Sequence, residues 1–508
     1  MIAVFLAFLS VSSPVIETDS GLVRGASSGT VWSFKNIPYA APPVGDLRWR
    51  PPQAVSPWEG ERDATEWGGA CTQVDSSGKV TGSEDCLQLN VFTPAGAPEP
   101  SRPVLFWIHG GSLTSGSAVS TSGGVRQFDG SKLAEKTGVV LVSINYRLGP
   151  LGYLAHRTLS WEQPTGTTGN YGMLDQIAAL EWVHRNIARF GGDPQRVAIF
   201  GQSAGATSVC ALVASPRAAG LFSGAIMMSG SCGARTLASS QAQGDAIFAY
   251  AGCSEDADPA ACMRGVSAER VVQIPRSPDF VSPVSGYSAS IDGYLLTDTP
   301  ENLVGRGRHN HLPVMIGNTS NEEGNSATGI ASEFEYRQAI RALVPYTGAD
   351  TLIMNQYPVS EYSSYRDAYV ALLSDFSYVW PARRAARAFL AGQTEPVWRY
   401  VFSHIPDNAA PEVRAQGAVH GADTPYVFDT LDRANYTSSE GELELIDLIQ
   451  RFWSRMAEAG TPGGDDLPFW PRYNGLDPYL RLETPLSLES GFRARQCDFW
   501  DYMLSIKP

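Results

Sequence analysis

The chain has 508 residues, of which 43% are hydrophobic, and it carries a formal net charge of −14. A chain of this length can bury a large core around an extended sheet, and large α/β enzymes often form one domain. The net negative charge argues against nucleic acid as a partner, because phosphate backbones are bound by basic patches.

The N-terminus begins with the short apolar run MIAVFLAFLSVSS. It is too short to span a bilayer, which takes about 20 apolar residues. The run resembles the apolar core of a secretory signal, although the usual basic residue before it is missing; a trimmed start is the alternative. We therefore expect a signal peptide over 1–13, a single domain over 14–508, and a secreted or periplasmic protein without stable membrane insertion.

Several apolar runs predict buried strands that end in glycine-rich or polar loops. They are PVLFWIHGG (103–111), GVVLVSINYRLG (138–149), the first part of VAIFGQSAGATSVCALV (197–213) and LPVMIGNTSNEEG (312–324). Between them, residues 173–192 have apolar residues at helical spacing and end in Gly-Gly, which is a C-cap signal. Strands that alternate with helices predict an α/β fold, with a large and mostly parallel sheet covered by helices on both faces.

The segment GQSAG (201–205) matches the G-x-S-x-G nucleophile elbow and lies between a predicted strand and a predicted helix. The turn raises the serine hydroxyl above the sheet, and side chains at 201 or 205 would crowd the neighbouring elements. We therefore predict Ser203 as the nucleophile of an ester hydrolase of the α/β-hydrolase type.

A serine hydroxyl needs a base, and in this fold the order along the chain is Ser, acid, His. Of the histidines after Ser203, His309 and His311 lie in the polar stretch RGRHNH, and His404 follows a strand-like run. His420 lies between glycines in GAVHGADTPYVF, where the backbone can orient the ring freely. The sequence therefore favours His420.

The acid is expected in the polar loop after the strand at 312–318, which contains Glu322 and Glu323. The residues alone do not decide between these two carboxylates. Asp292 and Asp298 are weaker alternatives. The oxyanion hole needs backbone N–H donors, and we expect them from Ala204 and from the loop HGGS (109–112).

Seven cysteines are present, and two pairs, Cys71 with Cys86 and Cys253 with Cys262, are close enough in the chain to form short disulfide loops. Cys210, Cys232 and Cys497 are then expected to be unpaired; seven reduced thiols are the alternative. No CxxC pair or His/Cys cluster indicates a zinc site, and no cofactor or metal is expected.

Several long motifs in order resemble the type B carboxylesterase/lipase family, which includes the cholinesterases. They are IPYAAPPVGDLRW (37–49), SEDCLQLNVF (83–92), NYRLGPLGYL (145–154) and residues 169–194. The resemblance implies an α/β-hydrolase that hydrolyses esters through a serine triad. By the family pattern the acid, which directly precedes the loop glycine, maps to Glu323, and the histidine maps to His420.

The resemblance also implies the disulfides Cys71–Cys86 and Cys253–Cys262. The family's buried ion pairs map to Arg48 with Glu84 and to Arg147 with Asp175. The family's oxyanion donors in the glycine loop, here HGGS (109–112), map to Gly111 and Ser112. A further donor is Ala204, which follows the nucleophile. Ser112 departs from the usual glycine, and a serine suits this place only where φ and ψ tolerate a Cβ.

Two further departures concern the residues around the site. Gln202 stands where the family usually has glutamate, and we expect it to point away from the chemistry. The segment between Cys71 and Cys86 contains no tryptophan, so it lacks the aromatic face that would bind a choline group. A neutral small-molecule ester in solution is therefore the expected substrate.

Two other functions remain as alternatives. A lipase that acts at interfaces would need an apolar lid, whereas residues 72–85 are polar. A catalytically inactive, cholinesterase-like adhesion protein would have lost the serine, which this chain retains. The sequence does not specify the acyl group, the alcohol group or the oligomeric state.

Overall fold

The computed structural model describes residues 13–96, 101–326, 329–432 and 436–506. Most of the expected signal peptide, residues 1–12, lies outside the described residues. The strands are, in chain order, β1 (Val15–Thr18), β2 (Gly21–Arg24), β3 (Ala26–Ser27), β4 (Val31–Pro38), β5 (Glu61–Asp63), β6 (Gln73–Val74), β7 (Val80–Thr81), β8 (Gln88–Pro94), β9 (Arg102–Ile108), β10 (Thr121–Ser122), β11 (Val125–Arg126), β12 (Val140–Ile144), β13 (Gly192–Gln202), β14 (Gly224–Met228), β15 (Arg235–Thr236), β16 (Ser290–Ile291), β17 (Val314–Thr319), β18 (Val397–Phe402), β19 (Pro478–Leu482) and β20 (Ser487–Ser490).

The α-helices range from single turns to five turns. They are α1 (Ser131–Thr137), α2 (Gly149–Tyr153), α3 (Arg157–Trp161), α4 (Tyr171–Asn186), α5 (Ala204–Ala214), α6 (Leu237–Ala251), α7 (Pro259–Gly265), α8 (Ala268–Gln273), α9 (Pro300–Gly305), α10 (Glu333–Leu343), α11 (Ala349–Gln356), α12 (Tyr365–Ser374), α13 (Trp380–Gly392), α14 (Pro411–Gln416), α15 (Thr424–Phe428), α16 (Glu440–Ala459) and α17 (Ala494–Ser505). None of the described helices is both long and apolar enough to cross a membrane.

Within the described residues, eleven strands form one central sheet, in the order β20-β19-β18-β17-β14-β13-β9-β12-β8-β4-β3. The run from β19 to β12 is parallel, and the strands outside it pair antiparallel. The sheet is therefore mixed with a parallel centre, which confirms the predicted α/β fold. The carboxyl ends of the parallel strands meet at one edge, where ligands of such sheets bind.

The two faces of the sheet bury different sets of side chains. On β9, Phe106 and Ile108 pack into the apolar cluster that contains α4, α5 and α13. Leu105 and Trp107, which alternate with them, pack into the cluster that contains α1, α15 and α16. Because successive side chains of a strand point to opposite faces, both faces need an apolar cover, and the helices provide it as predicted.

The predicted helix at 173–192 is present as α4, which continues into a 3-10 turn at Ile187–Phe190. That turn ends at Gly191, whose φ of 86° is left-handed. Glycine adopts this conformation without the steric penalty of a Cβ. The Gly-Gly signal therefore marked the end of the helical segment correctly.

Both ion pairs that the resemblance implied are formed and buried. Arg48 contacts Glu84 at 2.6 Å, and Arg147 contacts Asp175 at 2.7 Å. Each is a two-pronged contact between guanidinium and carboxylate, the geometry in which such pairs are strongest. Removing one partner would leave an uncompensated buried charge, which is strongly destabilising.

The described part of the chain, which includes all seven cysteines, contains three disulfides. Cys71–Cys86 and Cys253–Cys262 are bridged as expected. The expectation that Cys210 and Cys232 are unpaired is wrong, because they form the third bridge. Their Cα atoms are 5.4 Å apart, since the parallel crossover from α5 through β14 returns the chain to the same place. Cys497 is free and buried.

Candidate active site

The nucleophile elbow has the strained geometry that its sequence predicts. Ser203 lies between β13 and α5 with a φ of 60° and a ψ of −126°. A Cβ on Gly201 would lie 2.5 Å from the backbone of Gly205, and a Cβ on Gly205 would lie 2.1 Å from the carbonyl oxygen of Ile108. Only glycine fits at these two positions, so the two glycines allow the helix to pack directly against the strands.

His420 reaches this site from the loop before α15. Its Nδ1 lies 2.6 Å from Oε2 of Glu322, and its backbone N–H donates to the Glu322 carbonyl at 2.9 Å. The Glu322 side chain is fully buried and the His420 side chain is 24% exposed. Burial alone would lower the pKa of His420, but the hydrogen bond and the charge of Glu322 outweigh it and raise the pKa above its usual value.

The carboxylate that contacts His420 is not Glu323, to which the family pattern maps the acid, but its neighbour Glu322. Glu323 does not contact His420; its backbone N–H donates to Ser374 Oγ at 3.0 Å, and its side chain is half-buried. Glu322 Oε1 instead accepts from Ser229 Oγ at 2.6 Å and from the Thr319 N–H at 2.7 Å. These two donors at the ends of β14 and β17 fix the Glu322 carboxylate, which leaves Oε2 for the histidine.

Nε2 of His420 faces the side chain of Gln202. The Gln202 amide nitrogen lies 3.0 Å from Nε2, so the expectation that Gln202 points away from the chemistry is wrong. An amide that donates to Nε2 requires a neutral imidazole with its proton on Nδ1, where the Glu322 carboxylate accepts it. This is the tautomer that a general base needs.

The glycine loop after β9 presents backbone donors next to Ser203. The Gly111 carbonyl accepts from the N–H groups of Thr114 and Ser115 at 2.9 and 3.0 Å. Because a trans peptide is planar, this carbonyl fixes the Ser112 N–H in the opposite direction. In the described part of the chain, the N–H groups of Gly111, Ser112 and Ala204 have no acceptor.

Ser112 adopts the left-handed backbone conformation that this loop requires, although it carries a Cβ. Its φ is 55°, and the next residue, Leu113, has a φ of 59°. Such left-handed conformations are uncommon for residues with a side chain and carry strain. The loop is held from outside by Gln73, whose side chain accepts from the Gly116 N–H at 2.8 Å and donates to its carbonyl at 2.9 Å. The Cys71–Cys86 segment thereby supports the loop.

The other candidate residues have structural surroundings. His404 lies between Glu483 and Glu442, at 2.6 and 3.3 Å, and Asp292 accepts from three backbone N–H groups of its own turn. Asp298 accepts from Thr299 and Asn302. His309 bonds to the Gln393 side chain at 2.8 Å, and His311 contacts Glu395 at 3.5 Å with 43% of its side chain exposed.

A group of His404, Asp407 and Glu442 has possible metal-ligand atoms within 4.8 Å of one another. These atoms already have partners. Glu442 Oε1 accepts from the hydroxyl groups of Tyr426 and Tyr436 and from the Asp407 N–H, and Glu442 also closes the capping box of α16. The group is therefore a hydrogen-bonded network at the start of that helix.

A cavity of about 420 Å³ opens beside Gln202 and His420. Its other walls include Phe128 and the polar side chains of Ser120, Gln127 and Thr424. Within the described residues, the lining contains no Asp, Glu, Lys, Arg or Trp.

The chain is similar over nearly its whole length to known esterases and hydrolases. The model of the carboxylesterase family matches residues 12–500. The fumonisin B1 esterase of Sphingopyxis macrogoltabida is 35% identical, covering 90% of this chain and 84% of that protein. The cocaine esterase of Homo sapiens is 33% identical, covering 98% and 92%. The medium-chain fatty acyl-CoA hydrolase precursor of Anas platyrhynchos is 34% identical, covering 96% and 92%.

Proposed function

The chain belongs to the carboxylesterase family and is an ester hydrolase, and on this premise we propose that Ser203, His420 and Glu322 hydrolyse neutral carboxylic esters through an acyl-enzyme. The observation that carries the proposal is the 2.6 Å contact between His420 Nδ1 and the buried Glu322 carboxylate. It holds the imidazole in the tautomer that accepts a proton at Nε2.

In the proposed reaction the substrate displaces Gln202 from Nε2. Ser203 Oγ then attacks the ester carbonyl while Nε2 takes its proton, and Glu322 stabilises the imidazolium. The negative charge on the carbonyl oxygen is stabilised by the N–H groups of Ser112 and Ala204, with that of Gly111. The imidazolium gives its proton to the departing alcohol, and water, activated by the same histidine, releases the acid and regenerates Ser203.

The cavity beside His420 supports a neutral rather than a cationic alcohol group. A quaternary ammonium ion is bound best by a tryptophan face, with a carboxylate to balance its charge, and among the described residues this lining has no tryptophan and no carboxylate; Phe128 offers only the weaker face of a phenylalanine. Ser120, Gln127 and Thr424 can instead hydrogen-bond to a polar, uncharged group. The segment between Cys71 and Cys86 forms the small hairpin of β6 and β7, and its polar sequence does not favour an apolar lid for interfaces.

We also propose that the protein works in an oxidising compartment as a single catalytic domain over 14–508. Three disulfides suit such a compartment, since reduced thiols prevail in the cytosol. A signal peptide over 1–13 would account for export.

The catalytic assignment is tested by Ser203→Ala. We expect ester turnover to fall by roughly 10⁴–10⁶, and labelling by a fluorophosphonate to be lost, with the thermal unfolding midpoint unchanged. A variant that retains more than a tenth of the activity would contradict the assignment.

The substrate is tested by comparing p-nitrophenyl butyrate with butyrylthiocholine. The neutral ester should have an equal or higher kcat/KM; a strong preference for the choline ester at high salt would contradict the proposed specificity.

A further inference from the structure

The ring of Tyr378 covers the ring of His420. The two ring centroids are 4.4 Å apart, and the planes are inclined by 38°. Tyr378 comes from the one-turn π-helix Asp375–Val379, which joins α12 to α13. Such π-helical turns change the direction of side chains relative to an α-helix and are frequent at functional sites.

The surrounding contacts hold this turn in place. Asp375, at its start, accepts from the Tyr357 hydroxyl at 3.0 Å and lies 3.7 Å from the Arg493 guanidinium. Ser374, the preceding residue, accepts from the Glu323 N–H at 3.0 Å. The turn that carries Tyr378 is therefore tied directly to the loop that carries the acid.

We propose that Tyr378 is a positioning residue of this esterase, which fixes the plane of the His420 ring and stabilises its imidazolium form through the face of the phenol ring. The inference rests on the proposed function, because it assigns to Tyr378 an action on the base of that reaction. An aromatic face attracts a cation that lies within about 6 Å of its centroid. Since His420 is neutral before the attack and cationic in the transition state, the contact favours the transition state.

The charges around the pair are consistent with this role. Glu322 contacts His420 directly, and Asp423 and Glu323 act on the imidazole from a greater distance, all in the direction that raises the pKa of His420. Burial raises the pKa of Tyr378, and the charges of Glu323 and Glu322 raise it further. Tyr378 therefore stays a neutral phenol over the working pH range, and its face remains available to the imidazolium.

The first test replaces the ring. In Tyr378→Leu we expect kcat to fall about 3- to 30-fold with a smaller change in KM. In the pH profile of kcat, the acidic limb (the acid limb), which reports the pKa of His420, should move about 0.5–1.5 pH units lower. The reason is that an imidazolium that loses the aromatic face deprotonates more readily. Tyr378→Phe keeps the face and should stay within about threefold of the parent.

The matched control is Phe376→Leu in the same π-helix. Phe376 packs on Trp380 and Trp500 rather than on His420, so its loss tests damage to the turn alone. We expect a lower thermal unfolding midpoint without movement of the acid limb. The inference would be overturned if Tyr378→Leu had the same kcat and the same acid limb as the parent.

A second measurement avoids the change of shape. Phenylalanines with increasing numbers of fluorine atoms, incorporated at 378, weaken the negative face of the ring while preserving its size. We expect kcat to fall and the acid limb to move lower with each added fluorine; a flat series would overturn the inference. Ser203→Ala, assayed in parallel, tests the proposed function separately: residual activity in that variant refutes the triad, whereas its inactivity with a flat fluorine series refutes only the role of Tyr378.

Discussion

Glu322→Gln is the substitution that most sharply tests the proposed acid. Oε1 of Glu322 accepts from two donors, Ser229 Oγ and the Thr319 N–H. A glutamine must place its carbonyl oxygen there, so its NH₂ group faces Nδ1 of His420. Nδ1 must then accept, the ring proton moves to Nε2, and His420 cannot take the proton of Ser203.

The loss that follows from a wrong tautomer is about 10⁴ in kcat, or about 5 kcal/mol of transition-state stabilisation. Folding should be little changed, since the amide satisfies the same buried donors. The assay is steady-state hydrolysis of p-nitrophenyl butyrate across pH, together with thermal unfolding. Glu323→Gln is the matched control, with an expected loss of less than about threefold. Equal losses, or a greater loss for Glu323→Gln, would refute the assignment of Glu322.

Three further predictions concern other parts of the site and the fold. In Gln202→Glu a carboxylate lies next to Nε2 and stabilises the imidazolium, so the acid limb of kcat/KM should move to higher pH; an unchanged limb would contradict the contact of Gln202 with His420. The denatured, unreduced protein should expose one thiol, that of Cys497, and seven after reduction; three thiols without reduction would contradict the Cys210–Cys232 bridge. Ser112→Gly should relieve about 1 kcal/mol of left-handed backbone strain and raise the thermal unfolding midpoint, with activity retained. A less stable variant would mean that the contacts of the serine side chain stabilise the protein by more than the left-handed backbone destabilises it.

The turn around Ser203 is determined locally, so the sequence was sufficient to predict its geometry. Gly201 and Gly205 are required by contacts within a few residues of Ser203 and with the adjacent strand. The apolar runs predicted β9, β12, β13 and β17, because a central parallel strand is buried on both faces and is therefore apolar along its length. His420 followed from the order of triad residues and from its flexible glycine loop.

The choice between Glu322 and Glu323 depended on the tertiary structure. Consecutive side chains in a turn point in different directions, and which of them faces the base is decided by the residues that bind the loop. Here Ser229 and Thr319 bind the Glu322 carboxylate, while the backbone of Glu323 bonds to Ser374 of α12. Counting back from the loop glycine could not provide that information.

The remaining errors have the same origin. Gln202 meets His420, 218 residues later in the chain, only because β13 and the histidine loop end at the same edge of the sheet. Cys210 and Cys232 are 22 residues apart and become neighbours through a crossover between parallel strands. Spacing along the chain thus determined the strands, the elbow and the short disulfide loops of this protein, whereas the partners that meet across the sheet edge were decided by the packing of segments remote in sequence.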